Sequence, residues 1–486
     1  MYIGIDLGTS GVKLLLMSED GKIINKVTKN YGISYPGPLM SEQDPHDWFD
    51  QTIAGIKELL EGTDAKKVRA IGAGGQMHGL VMLDEKDEVI RPAILWNDGR
   101  TIAETDYLNN KTGKDKLASW TGNIAFAGFT APKILWVKEH EPENFKRAVK
   151  IMLPKDYLVY RLTGAFTTDY SDASGMLLLD VKNRKWSEDM LGICGVNEDM
   201  LPALHESSDI AGTVKKDIAE ELGLSNDVKV CAGAGDNAAA AIGTGTVGDG
   251  RCNISLGTSG TIFISSTDYT GLKNNAIHSF AHADGGWHVM GCMLSAASCN
   301  SWWMDGILGD SDYSAAQSKI TSLGTNRVFF LPYLLGERSP HNDPEVRSMF
   351  IGMSPDTTRE DMTQAVLEGV AYGMRDSLEI IRAAGISITE TTICGGGAKS
   401  PLWRRIISDV MKITVKVPSN DEGPALGGAI LAAVADGRYK DVIEASRTLV
   451  SYRDELTIEP DPETSARYNE GYRFFTKLYP AIKDLF

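Results

Sequence analysis

Two aspartates stand beside glycine-rich turns, where a carboxylate can accept a proton or help to hold a cation. Asp236 follows Cys231-Ala232-Gly233-Ala234-Gly235 and precedes Asn237 and the small residues 238–242. Residues 227–231 read as a short buried strand and 238–242 as a helix, so Asp236 sits where a strand hands over to a helix. Gly233 and Gly235 permit the sharp turn and leave room for a ligand. Two readings stand side by side. Asp236 caps the helix N-terminus, where aspartate is favoured, or it faces a cleft as the base that accepts a substrate proton. Asp6, just before Leu7-Gly8-Thr9-Ser10-Gly11, is either a turn aspartate or a holder of the hydration shell of Mg2+. That ion keeps its waters and takes few protein ligands.

Three glycine turns, at 8–11, 257–260 and 395–397, each follow an expected strand. Backbone N–H groups of Gly8, Thr9 and Ser10, and of Gly257, Thr258 and Ser259, beside their hydroxyls can cradle phosphate oxygens. Gly395-Gly396-Gly397 also opens an expected helix, whose N-terminal dipole favours an anion. Each alone is equally well a plain turn; as a set they point to a nucleotide. Neither the Walker loop nor the dinucleotide fingerprint occurs, which argues against a dehydrogenase of the Rossmann type. His78 lies between a glycine loop and a strand, with Gln76 near it, where its ring can hydrogen-bond a hydroxyl. Met77 is either core filler or the lining of an apolar ligand face. Trp96 and Trp136 read as core or wall residues, and Asp98 with Arg100 as a solvated pair at the cleft rim.

These residues need strands and helices to carry them. The first thirty residues read as a three-strand meander with turns at 6–11 and 19–21. Leu-Gly-Thr-Ser-Gly occurs at 7–11 and again at 256–260, each time between two strands, and an internal duplication explains this best. The join falls near 245–252, a glycine-rich stretch expected to act as a hinge, which divides the chain into domains 1–246 and 247–486. Helices are expected at 47–60, 362–384 and 401–411, and strands at 67–72 and 390–394. The fold class is α/β, two similar halves facing a cleft.

A chain of 486 residues exceeds one ordinary core. Its net charge of −16 disfavours nucleic acid and anionic membrane surfaces as partners. Six scattered cysteines without a CxxC pair, no HExxH motif and no apolar run of membrane-spanning length fit a reduced, metal-free-thiol, cytoplasmic protein. The opening Met-Tyr-Ile-Gly-Ile-Asp lacks the basic and apolar regions of a secretion signal.

Over nearly its whole length the chain resembles the FGGY family of sugar kinases, within the superfamily of actin and hexokinase. Residues 6–10 resemble the first phosphate motif, 256–260 the second and 395–397 the adenosine motif. The stretches 128–140 and 348–368 resemble the two long family signatures. Gly75-Gln76-Met77-His78-Gly79, 94–100, 153–158 and 330–341 are nearest those of members that phosphorylate the ketose D-xylulose. The resemblance implies two actin-like (ribonuclease H-like) domains, duplicated, around a central cleft. It implies ATP and Mg2+ as cofactors, with Mg2+ reached through water from Asp6 and Asp236. Asp236 becomes the proton acceptor, assisted by Asp6, and Gln76, Met77, His78 and Asn237 the sugar contacts. The three glycine turns hold ATP, and family analogy suggests a homodimer. A helix N-terminus would keep Asp236 ionised at neutral pH. Two alternatives stay open: a kinase for another ketose or polyol (ribulose, glycerol, gluconate), and a non-enzymatic sugar- or nucleotide-sensing regulator.

Overall fold

A computed structural model describes residues 1–271 and 276–486. In chain order the first half supplies β1 (Tyr2–Leu7), β2 (Gly11–Met17), β3 (Ile23–Asn30), α1 (Pro45–Leu59), β4 (Ala70–Gly75), α2 (Pro154–Thr163), β5 (Ile210–Thr213), β6 (Lys229–Cys231) and α3 (Asp236–Gly243). β1 is buried along its length except at Asp6, as expected of a central strand covered on both faces. The sheet runs β5-β6-β4-β1-β2-β3, antiparallel across β1, β2 and β3 and parallel across β1, β4 and β6.

The second half repeats this plan. It supplies β7 (Cys252–Leu256), β8 (Gly260–Ser266), β9 (His278–Ala281), β10 (Trp287–Met293), α4 (Arg359–Ala383), β11 (Glu390–Cys394), α5 (Pro401–Met411), β12 (Thr414–Lys416) and α6 (Gly423–Ala435). Its sheet runs β9-β10-β8-β7-β11-β12: β7, β8 and β10 are antiparallel neighbours, β9 adds a fourth antiparallel strand at the edge, and β11 and β12 continue parallel from β7. The two ribonuclease H-like sheets share a five-strand core of the same order and directions, β3-β2-β1-β4-β6 and β10-β8-β7-β11-β12, and differ in the end at which a further antiparallel strand is added. The repeated pentapeptides do not turn identically, however. Leu7 pairs with Val12, whereas Leu256 pairs with Gly260, so the second turn is one residue tighter.

Local chemistry starts the helices where expected. Pro45 opens α1 behind the capping side chain of Asp44, and Thr358 and Asp361 form a reciprocal capping box at α4. The small residues of α3 serve a long-range contact. α6, encoded in the second half, lies on the first sheet and crosses α3. A Cβ on Gly4 would sit 1.9 Å from the Ala425 carbonyl oxygen, and one on Gly427 equally close to that of Ala239, so only glycine allows this approach. The segment between the halves carries Gly245, Gly248 and Gly250, all at positive φ. Two of its amides are pinned, Gly248 to the Asp284 carboxylate and Gly250 to the Ser265 carbonyl. Among the described residues no helix is long and apolar enough to cross a membrane.

Candidate active site

Register brings the two aspartates together. β1 and β4 run parallel with Asp6 opposite Gly74 and Leu7 opposite Gly75. The short strand Ala234–Gly235 lies on the other side of β4, with Ala234 opposite Gly74 and Gly235 opposite Gly75. Asp6, the segment after Gly75 and Asp236 therefore leave one carboxyl edge of one sheet, the usual place for a ligand in an open α/β sheet. Asp236 is the first residue of α3 and Gly235 occupies the capping position. The Asp236 carboxylate accepts from the Asn237 backbone N–H at 2.6 Å and from Asn237 Nδ2 at 2.9 Å, and caps no later amide of the helix. Asp236 is thus not the N-cap of α3, a place that Gly235 holds.

Asp236 is not the fully ionised group expected from the helix dipole. Burial, reinforced by the negative charge of Asp6, pushes it up to about 7. Burial likewise raises Asp6 to about 6, with Lys13 across the β1–β2 ladder pulling the other way. Desolvation outweighs the partial charge of a helix end. Asn237 Nδ2 also lies 3.9 Å from Met77 Sδ, which ties the Asp236 end of the site to the Met77-His78 segment.

His78 is held in a left-handed backbone conformation, φ 69°. Its carbonyl accepts from Lys133 Nζ at 2.8 Å and Thr130 Oγ1 at 3.1 Å, and its ring stacks on Phe129 at 4.7 Å. These partners over-determine a conformation that costs energy by itself. His78 Nδ1 lies 2.8 Å from the Gly175 carbonyl oxygen. Burial first, then the nearby Lys133 charge, lowers its pKa to about 3, so the ring is neutral. A carbonyl only accepts, hence Nδ1 carries the proton and Nε2 is left as an acceptor. Gln76, expected among the sugar contacts, donates through Nε2 to Gln43 Oε1 at 3.1 Å and reaches the Gly8 carbonyl at 3.5 Å, while its Oε1 is buried without a partner among the described residues. It supports the first glycine turn.

Both phosphate-motif candidates have their carbonyls consumed from behind. In the first, Tyr31 Oη donates to Gly8 O at 2.5 Å, Gln43 Nε2 to Thr9 O at 2.7 Å and the Tyr31 amide to Ser10 O at 3.3 Å. In the second, the amides of Ala297 and Ala296 donate to Gly257 O and Thr258 O at 2.8 and 2.9 Å. The Gly8 amide, expected to face phosphate, is spent on Gly11 O at 3.1 Å, which leaves the amides of Thr9 and Ser10 and the turn hydroxyls for an anion in the first motif. The third turn joins the second, because β7 and β11 run parallel with Ser255 opposite Cys394, and a Cβ on Gly395 would meet Leu256 O at 2.5 Å. Gly396 and Gly397 line a cleft of about 600 Å³ with Asn300, Tyr313, Gln317 and Trp403. Asn300 is buried, and its Oδ1 has no partner among the described residues. α5 begins at Pro401 as expected, but a 3-10 turn separates it from the glycines and Ser400 caps it with its own side chain, so the glycines are not its N-terminus.

Other expectations need correction. Trp96 is not a core residue; it is 47% exposed, and its Nε1 donates to Thr9 Oγ1 at 2.9 Å. Asp98 and Arg100 are not solvated but form a buried forked pair, completed by Glu42. Sequence reasoning missed the group beneath Asp236. Lys155 is fully buried and lies 2.7 Å from Asp156, 3.2 Å from Asp169 and 3.9 Å from Asp172, and it donates to Ala232 O at 2.9 Å. Ser171 Oγ donates to Asp169 and accepts from the Gly235 amide at 3.1 Å. The turn that delivers Asp236 is thus clamped on both sides. Adjacent Lys155-Asp156 was the visible signal; the partners come from elsewhere in the chain.

Residues 1–243 match the N-terminal domain of the FGGY family of carbohydrate kinases, and residues 252–435 match its C-terminal domain. The chain belongs to the FGGY family. Among curated FGGY relatives, the xylulose kinase of Escherichia coli (strain K12) is 42% identical with both chains covered in full. The xylulose kinase of Bacillus subtilis (strain 168) is 36% identical over 99% of this chain and 97% of its own. A solved xyloylose kinase from Brucella ovis superposes with a TM-score of 0.95 at 39% identity, covering both chains completely. The two-domain fold and carbohydrate kinase activity follow.

Proposed function

We propose that this FGGY kinase transfers the γ-phosphoryl group of ATP to the terminal hydroxyl of D-xylulose, giving D-xylulose 5-phosphate and ADP. The observation that carries this reading is the joining of Asp236-Asn237 to Met77-His78 at one sheet edge, in a chain similar end to end to proteins named xylulose kinase. The sugar oxygen attacks the γ-phosphorus, the bond to ADP breaks, and Asp236 takes the hydroxyl proton. Such a loose transition state needs alignment and charge neutralisation more than a strong base, which suits a carboxylate raised to about 7. Neutral His78 accepts a hydroxyl through Nε2, and Met77 lines the sugar. The turns at 8–10 and 257–259 hold phosphates. The cleft with Asn300, Gly396 and Gly397 takes adenosine.

Two carboxylates at one sheet edge, both raised by burial and Asp236 further by the charge of Asp6, are a donor set that fits Mg2+. Asp6 and Asp236 would hold it through water, and when bound it neutralises phosphate oxygens. The turns at 8–10 and 257–259 come from different halves, so closure around the sugar would also exclude water as a competing acceptor. The test is ADP release across a panel of ketoses and polyols, with and without chelator. D-xylulose giving by far the highest kcat/KM, abolished by chelator, is the expected result. A different preferred sugar removes the substrate assignment, and no stimulation by any sugar favours a sensing protein.

A further inference from the structure

The segment 330–341, Phe-Leu-Pro-Tyr-Leu-Leu-Gly-Glu-Arg-Ser-Pro-His, has no part in the chemistry above, yet it carries a cation to the sugar side of the site. Arg338 belongs to the second half of the chain. Its guanidinium lies over the ring of Phe126, a residue of the first half, 4.9 Å from the centroid. Phe126 meets Phe129 edge-on at 5.4 Å and His278 at 5.0 Å, and Phe129 is the ring stacked on His78. Arg338 is close enough to His78 and to His278 for its charge to oppose their protonation.

The backbone beneath Arg338 is fixed. Buried Glu337 accepts through Oε1 from the Arg338 amide at 2.7 Å and from the Leu294 amide at 3.1 Å. The Ser339 amide donates to Cys292 O at 2.9 Å. A rigid loop of one half thus presents a guanidinium to the aromatic wall of the other. A chain of contacts runs from Asp236 through Asn237, Met77, His78, Phe129 and Phe126 to Arg338, which places the guanidinium beyond His78 along that chain.

A ketose whose terminal hydroxyl is at Asp236 carries its ketone near its other end, with a hydroxyl on the adjacent carbon. His78 Nε2 offers an acceptor for that hydroxyl, and guanidinium, with five N–H groups and no acceptor, offers donors for the ketone oxygen. We propose that Arg338 is a substrate-binding residue that donates to the ketone oxygen and selects a ketose over the polyol of the same length. A polyol hydroxyl at that carbon must find an acceptor for its own proton, and guanidinium supplies none. This inference rests on the ketose-kinase reading above.

The test uses the full-length protein, with D-xylulose as substrate and the two polyols made by reducing its ketone as inhibitors. In Arg338→Met, kcat/KM for D-xylulose should fall about 10- to 100-fold, the range for losing a hydrogen bond to a charged group. The fall should lie mainly in KM. The polyol inhibition constants and the KM for ATP should stay within about threefold, and Arg338→Lys should recover part of the loss. Phe126→Leu, which removes the ring supporting the guanidinium, should give the same split more weakly and keeps the test open if Arg338→Met does not fold. Equal weakening of ketose and polyols, or an unchanged kcat/KM in Arg338→Met, overturns the proposal. Wild-type protein that releases no ADP with D-xylulose overturns both the ketose reading and this one.

Discussion

The carboxylates of Asp6 and Asp236 are electrostatic partners: they leave the two strands that flank β4 at one sheet edge, and the charge of Asp6 adds to burial in holding the proton of Asp236. Asp236 can accept a proton only when ionised, so kcat/KM for the sugar should rise with pH through about 7. Mg2+ competes with protons for this pair, so raising its concentration should move the midpoint to lower pH. Asp236→Asn should lower kcat roughly 10²- to 10⁴-fold while sugar binding stays measurable by calorimetry. Near-normal turnover in that variant would remove the role assigned to Asp236.

Gly175 gives His78 its room. A Cβ there would lie 2.4 Å from His78 Nδ1, in the space of the hydrogen bond that sets the tautomer. Gly175→Ala should raise the KM for sugar by about tenfold or more, the scale of one lost hydrogen bond, with the KM for ATP unchanged. Steady-state kinetics varying each substrate separates the two.

Asn300 presents a buried acceptor without a partner among the described residues to the nucleotide cleft. The exocyclic amine of adenine is a donor of the right kind. Asn300→Leu should weaken ATP about tenfold and leave the KM for sugar alone; an unchanged KM for ATP counts against adenine at this place.

Burial alone would discharge Lys155, but Asp156, Asp169 and Asp172 together hold its pKa above the ordinary value. Lys155→Met keeps the aliphatic stem and leaves those carboxylates without a cation. It should cost about 3–5 kcal/mol of unfolding free energy, read from urea titration. A change within error would mean that the aspartates are held neutral by other means.

Closure of the two halves around sugar would bend the chain at 245–252, where three glycines hold positive φ. Small-angle scattering should then show a smaller radius of gyration with D-xylulose than without. An unchanged profile would place no hinge there.

Much of the fold was legible because its signals are local. The strand Glu390–Cys394 and the helix Pro401–Met411 fall where apolar spacing and flanking glycine and proline put them. The helices Pro45–Leu59 and Arg359–Ala383 begin a few residues earlier than read, because capping side chains extend them beyond the apolar pattern. The repeated pentapeptide revealed the duplication, but not the different pairing of Leu7 and Leu256, which depends on what packs behind each turn. The burial of Asp98 and Arg100 and the exposure of Trp96 were hidden for the same reason. Whether an indole is covered or a charged pair is wet depends on segments far along the chain.

The sequence by itself determined the two strand–turn–strand units, the glycine turns and the residue types at the site, since period and turn chemistry act over a few residues. Only the tertiary structure decided that burial raises Asp236 to about 7, that His78 offers Nε2, that Gln76 Nε2 bonds Gln43 behind the first glycine turn and that Arg338 reaches Phe126. Desolvation, Coulomb interactions and hydrogen-bond partners are set by which distant groups exclude water from one another, and that is a property of packing rather than of neighbours in sequence.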